Sequence, residues 1–524
     1  SHYSLKATAR NAQGESEPVD IEISLFTAPQ IEPLDLAIPE GSTAGTQVGR
    51  MRVYANGTSI DSIALSGTGS EDFRIGKNGD IFVANTLNAS RQNYYELTAT
   101  INDAVTALLQ ITLQDRIIDT LTNVGEAAEL TTSLDGAILY VANHGYNGAV
   151  MIDVSDPSEL TYWGKISGRY PQYLDISTDG SRLAIGHSSN ISLFDITDAA
   201  YPVHLSDYAL QGHSSLSAKF MHRHNSLLAG GKENVQILTE EINGSLAYTG
   251  DLDAGNAKDV VISPDDKTAY IADYSEGIVA YDISDPNYTA RIGGTWPDYR
   301  WTNCRLAISN DGRRLFIAGG GQMDIWDITN PDKAKKIGAL SGLPHQINAV
   351  TLSENGLKAF ISANDLYISD ISDPTAPVLI GQISIPGGAK ETVLLEGEAR
   401  AAVAAGKSGV HLISTEGFDI PEKAPGLLGI ETMIEADAEP GTAVESVEIV
   451  YAGSGGISSF MLSGDGAEDF TIDHSGNIST AKPLDAERKS YNLKVIATNS
   501  AGSREEDAVI HLHGVPEIAD LTVL

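Results

Sequence analysis

One phrase returns through the middle of the chain at a nearly fixed interval: GAVMIDVSDP (148–157), NISLFDITDA (190–199), GIVAYDISDP (277–286), QMDIWDITNP (322–331) and DLYISDISDP (365–374). Degenerate copies, NVQILTEEIN (234–243) and GVHLISTEGF (409–418), fill the gap after the second and end the series. The marker position is Asp153, Asp195, Thr239, Asp282, Asp327, Asp370 and Ser414, in steps of 42, 44, 43, 45, 43 and 44 residues. A unit of this size cannot bury an apolar face alone, so a run of them must stack. Seven such units, each readable as four short strands, predict an all-β fold with a seven-bladed β-propeller over 116–417.

Each blade can be laid out from its letters. YLDISTDG (173–180), DVVISPDD (259–266), RLAISNDG (305–312) and AVTLSENG (349–356) read as innermost strands that end in tight turns. A second strand follows, such as LYVAN or AYIAD, then the marker phrase as the third. The run after the proline, for example LTYWGKIS (160–167) or VLIGQIS (378–384), is the outermost. In the marker, an aspartate followed by Ser-Asp-Pro is a turn whose start the Asp side chain caps and whose course the proline fixes, so these aspartates are structural and not catalytic. Only six outer strands follow the seven markers, because GFDIPEKAPG (417–426) leads out of the repeat. The segment DRIIDTLTN (115–123) is expected to supply the seventh and so close the ring from its N-terminal side.

With 524 residues the chain is too long for one core. Two flanking segments are siblings: LSGTGSEDFRIGKNGDIFVANTL (65–87) and LSGDGAEDFTIDHSGNISTAKPL (462–484) align at a constant offset, Phe73 on Phe470 and Gly79 on Gly476. Short alternating strands between Gly-rich turns predict immunoglobulin-like β-sandwiches over 30–115 and 418–514. Residues 1–29 repeat the end of the second sibling, Tyr3 matching Tyr491 and Asn11 matching Asn499. They are expected to be the last hairpin of a preceding sandwich, with 515–524 the start of a following domain or a linker.

Two resemblances emerge from these words. PEGSTAGTQVG (39–49), DFTIDHSGNIST (469–480) with LDAE (484–487), and YNLKVIATNSAG (491–502) resemble cadherin-like domains of bacterial surface proteins. That resemblance implies calcium binding by Asp485 and Glu487 and, more weakly, by Glu40 and Asp103. The first sandwich has LNAS (87–90) where the family has L-D-x-E, and Asn11 and Asn499 stand where aspartate is usual. Since calcium takes six to eight oxygens, only weak sites are expected. The central repeat resembles LVIVD-repeat propellers of bacterial and archaeal surface proteins, a resemblance that speaks to fold and carries over no catalytic residue.

Lys+Arg number 34 against Asp+Glu 70, a formal charge of −36, which argues against nucleic acid as a partner. No apolar run is long enough for a membrane helix, so no membrane insertion is expected. The single cysteine, Cys304, lies in an apolar strand and reads as a buried, inert thiol. No H-E-x-x-H, G-x-S-x-G or nucleotide-binding glycine loop is present. Function is therefore sought in the unrepeated loops that lead into the innermost strands and ring one channel mouth. They offer Arg169, Tyr170, His213, Lys258, Tyr299, Trp301, His345, Gln346 and Lys390, groups suited to a glycan or peptide ligand. The reading is an extracellular, cell-surface, non-enzymatic segment, with sandwiches as spacers, the propeller as an adhesion or ligand-binding module, and neighbouring domains of the same long chain as further partners. The alternatives are a metal-dependent hydrolase or lactonase, for which Glu126, Asp259 and Glu391 near the mouth would serve, and an architectural component of a surface layer or filament.

Overall fold

The structure, a computed structural model, describes residues 2–11, 14–24, 28–89, 91–144, 148–168, 170–187, 189–210, 217–223, 225–230, 234–255, 257–296, 304–418, 420, 423–453, 456–485 and 487–513. Two compact units divide the chain, one of Ser1–Ile118 with Gly381–Ser384 and one of Asp119–Ile380 with Ile385–Leu524.

In the first unit, strands Leu34–Pro39, Val105–Gln114, Tyr94–Ile101 and Ile63–Ser66 form one sheet in that order, and Phe73–Ile75, Asp80–Val83 and Gln47–Arg50 form another. The first two strands of the larger sheet run parallel, Leu109 opposite Leu34. Strict alternation along Val105–Gln114 puts Ala107, Leu109, Ile111 and Leu113 into the core and leaves the residues between them facing outward. A ring pair locks the two sheets: Phe73 meets Tyr95 edge-on at 4.9 Å, and the Tyr95 hydroxyl donates to the buried Asp72 at 3.1 Å. Upstream, His2–Ala7 pairs with Val19–Ser24 as the expected hairpin.

The sibling in the second unit repeats this plan. Ile430–Glu435, Gly502–His513, Ser490–Asn499 and Ser459–Ser463 make the larger sheet, with Ile430–Glu435 and Gly502–His513 parallel. Phe470 meets Tyr491 at 4.9 Å, and the Tyr491 hydroxyl donates to Asp469 at 3.2 Å. The aspartate preceding each phenylalanine is therefore the polar anchor of the tyrosine in both siblings.

Between these lie seven four-stranded sheets among the described residues. Their innermost strands are Ala127–Thr132, Tyr173–Ile176, Ser217–Phe220, Ala257–Ile262, Arg305–Ile308, Ala349–Leu352 and Glu391–Leu395. Each neighbours the next, and the last neighbours the first, so the sheets form the blades of a closed seven-bladed propeller. The marker aspartates end the third strands as expected. Asp153, Asp195, Asp282 and Asp370 each accept from the main-chain N–H two residues on at 2.9 Å and from that residue's hydroxyl at 2.6 Å. These bonds hold the carboxyls of Asp195 and Asp282 below the usual carboxylate range, the hydroxyl bond contributing most.

The apolar cores lie between the blades. Tyr140 and Met151 of the first blade pack on Leu174, Leu183 and Phe194 of the second. Leu139, Val150 and Ile152 of the first pack on Ala402, Val410 and Leu412 of the last. Each fully buried Leu or Ile contributes about 1.5–3 kcal/mol, so an open ring would forfeit one whole interface.

Closure follows the count made from the sequence: the last sheet runs Ile117–Leu121, Val410–Ser414, Arg400–Ala404, Glu391–Leu395, its outer strand coming from the N-terminal side. The Thr120 hydroxyl lies 2.8 Å from His411 Nδ1, and Ala127 exchanges two main-chain hydrogen bonds with Gly406, at 3.0 and 2.9 Å.

The propeller and the C-terminal sandwich share one unit, and charge pairs join them. Lys423 Nζ lies 3.0 Å from the fully buried Asp370, Arg504 approaches Asp373 at 3.8 Å, and Arg314 pairs with Glu448. In the sixth blade the marker turn thus serves a second purpose, as the seat of a sandwich.

Gly409 tests the closure. Its φ is +89°, and a Cβ there would collide with the Leu121 carbonyl oxygen. Gly409→Ala should cost about 2 kcal/mol or more through left-handed backbone and clash, lowering the thermal midpoint by several degrees, whereas Gly136→Ala, also left-handed but with open space around it, should cost only about 1–2 kcal/mol. Calorimetry of the two variants measures the difference.

Candidate functional site

The innermost strands are short and alternate. Position by position, one set faces the blade interior, including Leu130, Leu174, Ala218, Val260 and Leu306, all buried. The other set faces a central channel of about 600 Å³. Counted back from the turn that ends each strand, the channel-facing residues fall into two rings. The upper contains Glu129, Tyr173, Asp259, Arg305, Ala349 and Glu391, and the lower Thr131, Asp175, Lys219, Val261, Ala307, Thr351 and Val393, all lining the channel. Glu126, His144, Gln172, Lys258, Asn348 and Lys390 line it at the end where the innermost strands begin.

The charges in the rings brace neighbouring blades. Glu129 Oε2 accepts from Leu174 N at 3.0 Å, Asp175 Oδ2 from Phe220 N at 2.7 Å, and Asp259 Oδ2 from Leu306 N at 2.9 Å. In each case a carboxylate on one inner strand satisfies a main-chain donor on the next. Arg305 does the same with the opposite sign, donating to the Asn348 and Lys258 carbonyls on either side. Lys219 Nζ sits 3.2 Å from Asp175. Hydrogen bonds to charged groups contribute about 1.5–3 kcal/mol each, so these contacts fix blade spacing as well as filling the lumen.

Crowding of charge inside the protein shifts titration. Desolvation pushes Glu129 up to about 8, with the Glu391 carboxylate adding to the rise and Lys219 opposing it. Desolvation likewise pushes Glu391 up to about 7, against the Thr392 N–H, Lys219 and Arg305. Asp175 chiefly drives Lys219 above its usual range, holding it charged. Burial raises Tyr173 to about 12.

The residues expected at the mouth divide. Lys258 and Lys390 line the channel. Lys258 Nζ stands 5.5 Å from the centre of the Tyr274 ring. Tyr170 is exposed at φ +35° and does not line the channel, and His345 and Gln346 are exposed away from it, Gln346 donating to Asn348 at 3.3 Å. Arg169, His213, Tyr299 and Trp301 lie outside the described residues. Sequence reasoning passed over Glu129, Asp175, Lys219 and Arg305. The signal was present, a charged residue at an alternate position of an otherwise apolar inner strand, as in YLDIS.

The residues tied to calcium lie apart. Asp485 is exposed, its Oδ1 accepting from Glu487 N at 3.0 Å and its other oxygen 3.9 Å from Arg488. Glu487 is exposed beside it. In the other unit Glu40 is buried, accepts from Ala89 N at 3.2 Å and has its pKa raised by desolvation, while Asp103 is an exposed turn residue at φ +56°. Among the described residues no three His, Cys, Asp or Glu side chains gather in a geometry that would hold a metal ion. Cys304 is buried, and desolvation pushes its thiol up to about 12, as expected of an inert thiol.

Seven blades closed by a strand from the N-terminal side, flanked in sequence by sandwiches whose larger sheets pair an early strand parallel to the last, define an all-β protein that combines a propeller with cadherin-like domains. Residues 434–513 match the cadherin domain family, residues 254–293 and 350–384 the LVIVD repeat, and residues 92–220 the family described as lactonase, 7-bladed beta-propeller. The last match takes in the end of a sandwich and the first blades, including Glu129, Asp175 and Lys219 but not Asp259, Arg305 or Glu391. No curated protein matches the chain. Among solved structures, the β-propeller domain of Cps50 (Swd1) from Myceliophteria thermophila is similar over 58% of this chain and 100% of its own, at 13% identity and a TM-score of 0.47. Among the described residues no helix is long and apolar enough to cross a membrane.

The raised channel carboxyls set a pH dependence of stability. Between the ordinary glutamate range and pH 7–8 the folded chain holds protons that the unfolded chain has released, so these two groups make stability fall as pH rises through that window. The double variant Glu129→Gln, Glu391→Gln keeps an acceptor for Leu174 N and removes the ionisation. Its thermal midpoint should decline less than the wild type's between about pH 5 and about pH 8; parallel declines would contradict the assignment.

Proposed function

We propose that the chain is an extracellular, non-enzymatic segment of a cell-surface protein, in which the propeller binds a glycan or peptide at its channel mouth and the sandwiches act as spacers. The observation that carries this reading is the state of the charges in the channel. Glu129, Asp175 and Asp259 already brace neighbouring strands, whereas Lys258 and Lys390 line the channel without a carboxylate partner among the described residues. In a protein with twice as many acids as bases, cations left unpaired at a concave opening favour an external partner. Cadherin-type sandwiches on either side of the propeller in the sequence accord with a spacer role, and weak calcium binding at Asp485 and Glu487, with Glu40 and Asp103 in the other sandwich, belongs to the same reading.

A second reading rests on the lactonase-family match over 92–220: a metal-dependent hydrolase using Glu126, Asp259 and Glu391. The bond from Leu306 N to Asp259 and the coulombic attraction of Arg305 for the Glu391 carboxylate weigh against it, since a metal would have to displace the first and compete with the second.

Glycan and peptide arrays probed with the whole chain test the leading reading. Binding that falls at least about tenfold in Lys258→Ala, Lys390→Ala supports it, that being the scale of a desolvated charge contact. Blank arrays together with metal-dependent lactone hydrolysis lost in Asp259→Asn would replace it with the enzyme.

A further inference from the structure

The lumen carries more than the two lysines near its mouth. Glu129 and Glu391 stand on the first and last blades, which adjoin where the ring closes, and each raises or feels the field of the channel charges around it. Among the described residues Glu391 accepts only from its neighbour Thr392 N at 3.2 Å, and Glu129 only from Leu174 N at 3.0 Å. Neither is in an ion pair among the described residues. The charged groups facing them are Lys219 and Asp175 from the third and second blades, and Asp259 and Arg305 from the fourth and fifth. Lys219 is taken by Asp175, and Arg305 by two carbonyls. What is left over among the described residues is therefore Glu391 and the second oxygen of Glu129 in the upper ring, and near the entrance the Glu126 carboxylate together with the ammonium groups of Lys258 and Lys390, within one cavity of about 600 Å³.

Left-over groups of both signs in one cavity call for a ligand with both. Resting on the reading of the channel as a binding site, we propose that it takes a small zwitterion, a molecule bearing an ammonium and a carboxylate group, with the carboxylate at Lys258 and Lys390 and the ammonium at Glu391 and Glu129. Free amino acids and short peptides share this chemistry. A volume of this size holds a ligand of a few residues at most, with Tyr173, Val261 and Val393 offering contact for its apolar part. A purely anionic ligand would leave the two carboxyls without a partner, and a purely cationic one would have to pass the two lysines. Since an ammonium needs the carboxyls ionised, and burial holds them partly protonated near neutrality, binding releases protons and tightens as pH rises from about 6 to about 8.5.

The test is calorimetric titration of the whole chain with glycine, β-alanine, 4-aminobutyrate, 6-aminohexanoate and glycylglycine, with propionate and propylammonium as singly charged controls. The proposal expects at least one zwitterion to bind more tightly than both controls. It expects affinity to fall about tenfold or more in Lys258→Ala, Lys390→Ala and again in Glu129→Gln, Glu391→Gln, and the pH trend to vanish in the latter. Glycylglycine exceeding every free amino acid would mark a peptide end as the source, and the reverse a free amino acid. Propionate binding as well as any zwitterion, or no binding by the panel, overturns the proposal. A glycan that binds the mouth through the two lysines while the panel stays silent would overturn it and leave the broader reading of the propeller intact.

Discussion

Ring closure is the constraint on which the rest of the propeller depends. A propeller blade has an apolar face on each side, and only a complete circle supplies both neighbours for every blade. Here the circle is completed by Ile117–Leu121 lying beside Val410–Ser414, and by the exchange of main-chain bonds between Ala127 and Gly406. Without that join the interface of Leu139, Val150 and Ile152 with Ala402, Val410 and Leu412 would face water, and the edge of Val410–Ser414 would be unpaired. The join also brings Glu129 and Glu391 onto adjacent inner strands, so the most perturbed carboxyls of the channel are a consequence of closure.

The channel then shows how one set of side chains serves two ends. Carboxylates that cross from one inner strand to an amide of the next replace hydrogen bonds that separate sheets cannot make with each other. They do so in the lumen, where water is confined and each such bond is stronger than on the surface. The cost is charge crowded in a narrow space, visible in the upward shift of Glu129 and Glu391. Where the bracing is complete the residue is occupied, and where it is incomplete, as at Lys258, Lys390, Glu391 and the second oxygen of Glu129, the protein holds capacity for a partner.

Most of the architecture was legible because it is written in periodic apolar letters and in turn chemistry, both local. The marker phrase specified third strand and turn together, and the deficit of one outer strand after Ser414 was enough to place Ile117–Leu121. The parallel pairing of Leu34–Pro39 with Val105–Gln114 was not legible, since nothing local records which distant strands adjoin. The site was legible only in part. Lys258 and Lys390 were found because loops into the inner strands must ring the channel. Glu129, Asp175, Lys219 and Arg305 were missed because a charged residue in a short strand looks like solvent-facing alternation until the ring shows that the polar side faces a lumen. The anchoring role of Asp72 and Asp469 was hidden for a similar reason, their tyrosine partners lying some twenty residues on.

Hydrogen exchange read peptide by peptide tests most directly whether closure by the N-terminal strand holds the ring and its channel together. If closure holds the ring, 117–121 is protected to the same degree as 400–404 and 410–414, and these exchange together with the inner strand 391–395 as one cooperative unit. Fast exchange at 117–121 while 400–414 stays protected would show that the last blade stands without its borrowed strand, and would contradict it.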